Sequence, residues 1–325
     1  MRLYRDTTGV PAEARGAVAA IGNFDGLHLG HRAVIGEAMR LARAAGRKSA
    51  VVTFEPHPRR FFKPDLPPFL LTSARMKIAA LRDLGVDFCF ALRFDRKLAG
   101  MTAEAFVADV LVARLGLDGV VAGYDFVFGK GRAGSPETLV AEMARAGRAA
   151  KIVAPALDAA AAGRAGAEGD PEAFVYSSTG VRDALKAGDP RAAARILGRP
   201  FAIDGRVQRG DARGRTIGFP TANIGLDGYL PPALGVYAVR VEGAVPGRRV
   251  AGVANLGVRP TVGGDPAPRL EVHLFDFAGD LYGRRLVVSL VEFLRPERKF
   301  DGLDALKAQI AIDAQAARAL LAANA

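Results

Sequence analysis

Hydrophobic positions change their rhythm midway along the chain. In the first half, short continuous apolar runs alternate with segments whose apolar positions recur every three or four residues. Ala17–Gly22 reads as a buried strand, and a helix from about His31 to Ala45 follows, with Val34, Ala38 and Leu41 on one face. The alternation continues through strand Ser49–Phe54, helix Ser73–Leu84, strand Phe88–Leu92, helix Ala103–Leu115, strand Gly119–Gly123, helix Pro136–Ala146 and strand Lys151–Ala154. Such an order predicts a doubly wound α/β fold on a parallel sheet, with sites at the carboxyl ends of the strands. The Ala/Gly stretch Ala159–Gly169 reads as a surface loop. Val181–Leu197 reads as helical and stops at Gly198-Arg199-Pro200.

From Phe201 the period shortens. Phe201–Val207, Gly235–Val241, Arg249–Ala254, Leu270–Phe275 and Leu286–Phe293 are β-type segments punctuated by Gly and Pro. They predict an antiparallel sheet or barrel, closed by an amphipathic helix carrying Leu303, Leu306, Ile310 and Ala314. The expected organisation is a domain over residues 1–185, a linker over 186–200 and a second domain over 201–325.

Composition narrows the compartment and the partners. No run of eighteen apolar residues appears, so no membrane span is expected. The opening residues lack an apolar core, so no signal peptide is expected either. The single cysteine, Cys89, lies within an apolar strand and reads as an inert small hydrophobe; a reducing cytoplasm is the expected location. The net charge of +11 raises the question of nucleic acid. Residues 1–185 carry 25 Lys+Arg against 20 Asp+Glu, and the remainder 20 against 14, without a basic run or interleaved aromatic platform. Diffuse positive potential around phosphate-bearing small molecules accounts for it equally well, and no nucleic acid or membrane partner is expected. Nothing in the sequence fixes an oligomeric state.

Chemistry concentrates in two places. Gly22-Asn23-Phe24-Asp25-Gly26-Leu27-His28-Leu29-Gly30-His31 leaves the first strand and enters the first helix. Glycines and a helix N-terminus there present backbone amides to an anion, and His28 and His31 bracket Gly30 so that both imidazoles can serve charge on a phosphate. A single histidine so placed is usually a surface group, and a pair could ligate metal. Neither a cysteine nor a third histidine stands nearby to complete a zinc set. Gly129–Gly134 matches GxGxxG, but Ser135-Pro136 starts its helix after the third glycine, so the match to a dinucleotide site is weak. In the second half, Arg213–Asn223 contains the turn Gly218-Phe219-Pro220-Thr221-Ala222-Asn223. The Thr221 hydroxyl and the Asn223 carbonyl are hard oxygen donors suited to Mg²⁺ on nucleotide phosphates, although a plain turn between strands uses the same residues. Strand alternation puts Glu271 and His273 on one face and Leu270, Val272 and Leu274 on the other. Glu271 is a candidate general base for a hydroxyl if that face borders the nucleotide; alternation alone leaves open which face is wet. Asn255–Thr261, with Arg259, adds another polar turn.

The histidine motif resembles that of the HxGH nucleotidyltransferase superfamily, and Tyr176-Ser177-Ser178-Thr179-Gly180-Val181-Arg182 resembles its second phosphate-binding segment. With Glu55-Pro56-His57-Pro58, Gly123–Gly131 and the Thr221/Asn223 and Glu271 segments, the chain is similar to the bifunctional riboflavin kinase/FAD synthetase family. The resemblance implies a Rossmann-like domain that transfers an adenylyl group from ATP to FMN, giving FAD, and a β-barrel domain that phosphorylates riboflavin with MgATP. Gly22, Asn23, Phe24, Asp25, Gly30, His31, Ser177, Ser178 and Arg182 would then hold ATP, with His28 and His31 serving the transfer. Pro56, His57, Pro58, Phe62, Asp125 and Phe128 would face the flavin. In the second domain, Gly218, Pro220, Thr221 and Asn223 would hold Mg²⁺–nucleotide, and Asn255, Arg259 and Glu271 the flavin. Gly180 and Val181 stand where relatives often carry another arginine, and so does Val127. Three rival readings are a single-activity adenylyltransferase with a degenerate kinase module, a flavin- or nucleotide-binding regulator without turnover, and an NAD oxidoreductase built on the glycine motif.

Overall fold

A computed structural model describes residues 1–157, 175–209, 218–261 and 264–323, with backbone alone for 259–261 and 264–267. The expected loop Ala159–Gly169, residues 213–217 and the Arg259 side chain lie outside the described residues. The chain divides into two compact units, one of Met1–Leu66 with Ala74–Ser177 and one of Pro67–Ser73 with Ser178–Ala325.

The first unit is built on six parallel strands: β1 (Arg2–Tyr4), β2 (Val18–Ile21), β3 (Ser49–Glu55), β4 (Phe88–Arg93), β5 (Gly119–Gly123) and β6 (Ala149–Val153). They are ordered β1-β4-β3-β2-β5-β6, with every neighbouring pair parallel. Connections run outward in opposite directions from β2, so the crevice beyond β2 and β5 is the switch point where such sheets take ligands. Helices α1 (Leu29–Ala44), α2 (Pro58–Phe62), α3 (Ala74–Asp83), α4 (Arg96–Ala99), α5 (Ala103–Ala105, continuing as a π-helix over Phe106–Arg114) and α6 (Pro136–Arg145) supply the crossovers and edges. Two apolar clusters form. One carries Ile21, Val52, Phe90 and Leu111; the other carries Ala20, Val51, Cys89 and Ile35. Successive strand residues therefore enter opposite clusters, and near-continuous apolar runs are what a sheet covered on both faces requires.

The second unit begins with helices α7 (Ser178–Lys186) and α8 (Pro190–Leu197). Sequence reading expected one helix from Val181 to Leu197. Gly188 adopts φ 75°, and Asp189 caps a new helix by accepting the Ala192 amide at 2.7 Å, with Pro190 at its first position. The residues taken as a linker, 186–200, thus include a helix whose Ala193 and Leu197 are buried. The continuous stretch of this unit begins at Ser178. Strands β7 (Phe201–Gln208), β8 (Ala222–Gly225), β9 (Gly235–Val245), β10 (Arg248–Thr261), β11 (Gly264–Leu274) and β12 (Arg285–Pro296) close a barrel in the order β10-β11-β8-β7-β12-β9. Helix α9 (Leu303–Ala323) packs Ala317 and Leu321 on Val236, Ala238 and Val253 of the outer face.

Residues 67–73, expected just before and at the start of a helix of the first domain, belong to the barrel unit. Leu70 bridges in parallel to Tyr229, its amide donating to the Gly228 carbonyl at 3.2 Å. The buried Asp204 carboxylate accepts from Ser73 Oγ at 2.6 Å, Tyr229 OH at 2.8 Å and Arg285 Nη1 at 2.6 Å. A charge with three donors inside a core is tolerated because its lone pairs are satisfied.

Candidate active sites

The last sheet bond of β2 is donated by the Gly22 amide to the Val52 carbonyl at 3.1 Å. Beyond it the chain turns sharply. Phe24 and Leu27 hold left-handed φ of 51° and 46°, and Gly26 of 88°. Left-handed non-glycine residues store strain and persist where their surroundings over-determine them; here both side chains are buried, Leu27 completely. His28 caps α1: its Nδ1 accepts the His31 amide at 3.3 Å, which leaves Nε2 to carry the proton of the neutral ring. The two imidazoles stack with centroids 3.6 Å apart and planes 25° apart, and the Phe24 ring meets His31 edge-on at 5.3 Å. Both expected histidines therefore share the start of α1, at the carboxyl end of β2.

Gly30 explains its own identity. A Cβ there would lie 2.9 Å from the Tyr176 carbonyl and 3.1 Å from the His28 ring. The close approach also brings the start of the Tyr176-Ser177 segment against the histidine turn. Asp25 is buried in the same loop. Arg182, one turn into α7, donates Nε to the Phe69 carbonyl at 3.0 Å and lies over the Phe69 ring, both within the barrel unit.

After β3, His57 caps α2 by accepting the Arg59 amide at 3.1 Å, with Pro58 at the first helical position. Phe62 is exposed and edge-on to Phe61 and Phe94, so an aromatic surface flanks the Pro56-His57-Pro58 turn. Phe128, expected to face a flavin, is buried against Phe106 and Phe126. A small hairpin directs it inward: Phe128 and Gly134 exchange both backbone hydrogen bonds, at 3.0 and 2.9 Å. Gly129 holds φ 74° where a Cβ would strike the Ala103 backbone, so the glycine-rich segment is a tight turn against α5. Asp125 sits beside Gly123 at the end of β5.

Sequence reading did not single out Lys77. On α3 its side chain is 4% exposed and its ammonium lies 2.7 Å from Glu55 Oε1, 3.0 Å from the Asn23 carbonyl and 3.4 Å from Thr53 Oγ1. The available signal was a lysine four residues before Leu81, on the buried stripe of the helix.

In the barrel, Glu271 pairs with Asn255 on one side and with Asn223 on the other, and Asn223 pairs with Gln208. Residues directly opposite share a face, so these polar groups form one row across four strands. The face is the outer one: Asn255 follows Val253, which α9 covers, whereas Ala254, Leu256, Leu270, Val272 and Ile224 fill the lumen. The structure thereby decides what alternation could not. His273, next on this face, hydrogen bonds through Nδ1 to the Pro220 carbonyl at 2.9 Å and meets the Phe219 ring edge-on. That contact lays the Gly218–Thr221 turn beside the carboxylate strand. Asn223 is buried although polar, and Thr221 stands two residues before it. Neutral hard oxygens next to a carboxylate suit Mg²⁺ whose remaining ligands are phosphates. Glu297, unforeseen from sequence, accepts from Asn255 Nδ2 at 3.3 Å, and a Cβ at Gly257 would collide with its carboxylate.

A family model described as FAD synthetase matches residues 10–161, and one described as riboflavin kinase matches residues 197–321. A bifunctional riboflavin kinase/FMN adenylyltransferase of Pseudomonas fluorescens is 44% identical over 328 residues, covering 100% of this chain and 99% of that one. The chain belongs to this bifunctional family. Its Escherichia coli K12 member is 43% identical over 98% of this chain and 97% of its own, and the Bacillus subtilis member 38% over 95% and 93%. The fold is also similar, at a TM-score of 0.82 and 30% identity over 97% of this chain and 98% of the other, to a crystal structure described as a macrolide-efflux protein from Streptococcus pneumoniae. No described helix of the present chain is long and apolar enough to cross a membrane.

Proposed function

We propose that the barrel unit phosphorylates riboflavin with ATP and that the parallel-sheet unit then joins the resulting FMN to the adenylyl group of ATP, releasing pyrophosphate. The observation that carries the reading is the pair of stacked imidazoles at the end of β2, on a helix start whose glycine admits nothing larger. FMN phosphate is already an anion, so adenylyl transfer needs alignment and charge stabilisation more than a base. Nε2 of His28 donates toward charge developing on the α-phosphate, His31 stacks behind it, and the amides at the start of α1 add partial positive charge. Gly22, Asn23, Phe24 and Asp25 shape the nucleotide cradle. Ser177, Ser178 and Arg182 take the outer phosphates, a role resting on sequence resemblance. Pro56, His57, Pro58 and the exposed Phe62 offer the flavin a surface, with Asp125 and Phe128 completing it.

In the barrel, Glu271 takes the proton of the riboflavin 5′-hydroxyl as its oxygen attacks the γ-phosphate, the bond to the β–γ bridging oxygen breaks and ADP leaves. Gly218 and Pro220 shape the turn that Thr221 and Asn223 continue, and these last two hold the Mg²⁺–nucleotide, the cation offsetting phosphate charge. Asn255 and Arg259 orient the flavin. Small molecules are the partners in this reading.

Incubation with riboflavin, ATP and Mg²⁺, with products resolved by chromatography, tests it. His28→Ala should abolish FAD while sparing FMN; Glu271→Ala should abolish FMN from riboflavin while sparing FAD from supplied FMN. Loss of both products in either variant would refute two independent sites. No flavin product from the wild type would favour a binding regulator.

A further inference from the structure

Lys77 is a buried cation of the first unit that the proposed chemistry does not use, and it occupies a costly position. Burying an ammonium demands that each of its protons find an acceptor. Here three are present: Glu55 Oε1, the Asn23 carbonyl and Thr53 Oγ1. Thr53 Oγ1 in turn donates to the Asn23 carbonyl at 3.2 Å, closing a small network. Its location matters as much as its satisfaction. Asn23 is the first residue past the last β2–β3 bond, where the backbone leaves the sheet and enters the left-handed turns at Phe24, Gly26 and Leu27. Its carbonyl finds no strand partner, and Lys77 replaces one. Glu55 closes β3 and immediately precedes Pro56-His57-Pro58.

We infer that Lys77 is a positioning residue for adenylyl transfer, its buried ammonium clamping the nucleotide-side loop at Asn23 to the flavin-side end of β3 at Glu55. The inference rests on the reading of the His28 site given above. The clamp sets the entry of a strained turn whose far end is the His28 ring, and the same ion pair fixes the start of the turn that meets FMN. Both substrates are thus aligned through one side chain that touches neither. Its loss displaces the loop by a fraction of an ångström, enough to lower turnover by about tenfold to hundredfold.

The test is steady-state FAD formation by the full-length protein carrying Lys77→Met, with FMN formation from riboflavin as the internal control. The expected result is a fall in kcat for FAD of at least tenfold, a rise in KM for both ATP and FMN, and an unchanged rate of FMN formation. Lys77→Arg, which keeps a buried cation within reach of the same oxygens, should recover a substantial part. A Lys77→Met protein forming FAD within twofold of wild type would overturn the inference, and so would a loss that Lys77→Arg leaves equally deep. Should Lys77→Met not fold, Thr53→Val removes two bonds of the network with little change of shape and should still lower kcat several-fold; wild-type kinetics there would overturn the clamp. His28→Ala in the same assay keeps the two ideas apart. If it retains FAD formation, the site itself is misplaced; if it loses FAD formation while Lys77→Met does not, only the clamp fails.

Discussion

Replacing Gly30 by alanine separates packing from chemistry. The added Cβ would sit 2.9 Å from the Tyr176 carbonyl and 3.1 Å from the His28 ring, whereas ordinary contact begins at 3.4 Å. Both contacts fall short of that, by 0.5 Å at the carbonyl and 0.3 Å at the ring, so both must be relieved. The carbonyl is tied down, since the Tyr176 amide bonds to Ala156 at 3.0 Å and Val175 bridges to Leu157. The imidazole can swing aside, but the carbonyl clash is relieved only by a shift of the start of α1, which carries the histidines with it. Overpacking costs about 1–3 kcal/mol, while alanine favours a helix over glycine by about 1 kcal/mol, so the net loss of stability should stay below about 2 kcal/mol. Catalysis is less forgiving. If a misplacement near 1 Å costs about a hundredfold, one of half that size costs about tenfold, or about 1.4 kcal/mol of transition-state stabilisation. The expected outcome is FAD formation from FMN reduced about tenfold in kcat/KM, FMN formation unchanged, and a thermal midpoint within a few degrees of wild type. Adenylyl transfer within twofold of wild type would refute the argument that Gly30 exists to seat the His28 ring.

Other expectations follow from buried groups. Asp204→Ala would leave the Arg285 guanidinium and the Tyr229 hydroxyl without their carboxylate; part-exposed Arg285 can turn to solvent, so a loss of about 2–4 kcal/mol is expected, read as earlier urea inactivation of FMN formation. Burial pushes the Tyr229 hydroxyl up to about 12, beyond its ordinary 10. A raised folded value means stability that is intact below pH 10 and is lost as pH climbs toward 12, so the barrel unit should weaken across that window in alkaline unfolding monitored by tyrosinate absorbance. The Cys89 thiol, buried in β4, is likewise pushed to about 12; a disulfide reagent at pH 8 should find no reactive thiol in the native protein and one after denaturation.

Much of the architecture is legible in the order of residues alone. Uninterrupted apolar strands between helical stripes have no stable arrangement other than a sheet covered on both faces, and turn residues between short β segments dictate an antiparallel module. The histidine motif was legible because its parts are contiguous: strand, glycine turn and helix start lie within ten residues, and local geometry places both rings. Features that depend on contacts between distant residues are not legible there. Alternation put Glu271 and His273 together but only barrel closure and the seating of α9 made their face the outer one, in line with Asn223 and Asn255. The burial of Phe128 likewise depends on a hairpin through Gly134 that the local pattern does not announce. Residues 67–73 joined the barrel unit through a bridge 159 positions away in the chain, from Leu70 to Tyr229. Lys77 carried almost no sequence signal, because a lysine on a helix is ordinarily solvated; its meaning arises when folding brings Asn23, Thr53 and Glu55 around one ammonium and removes the water.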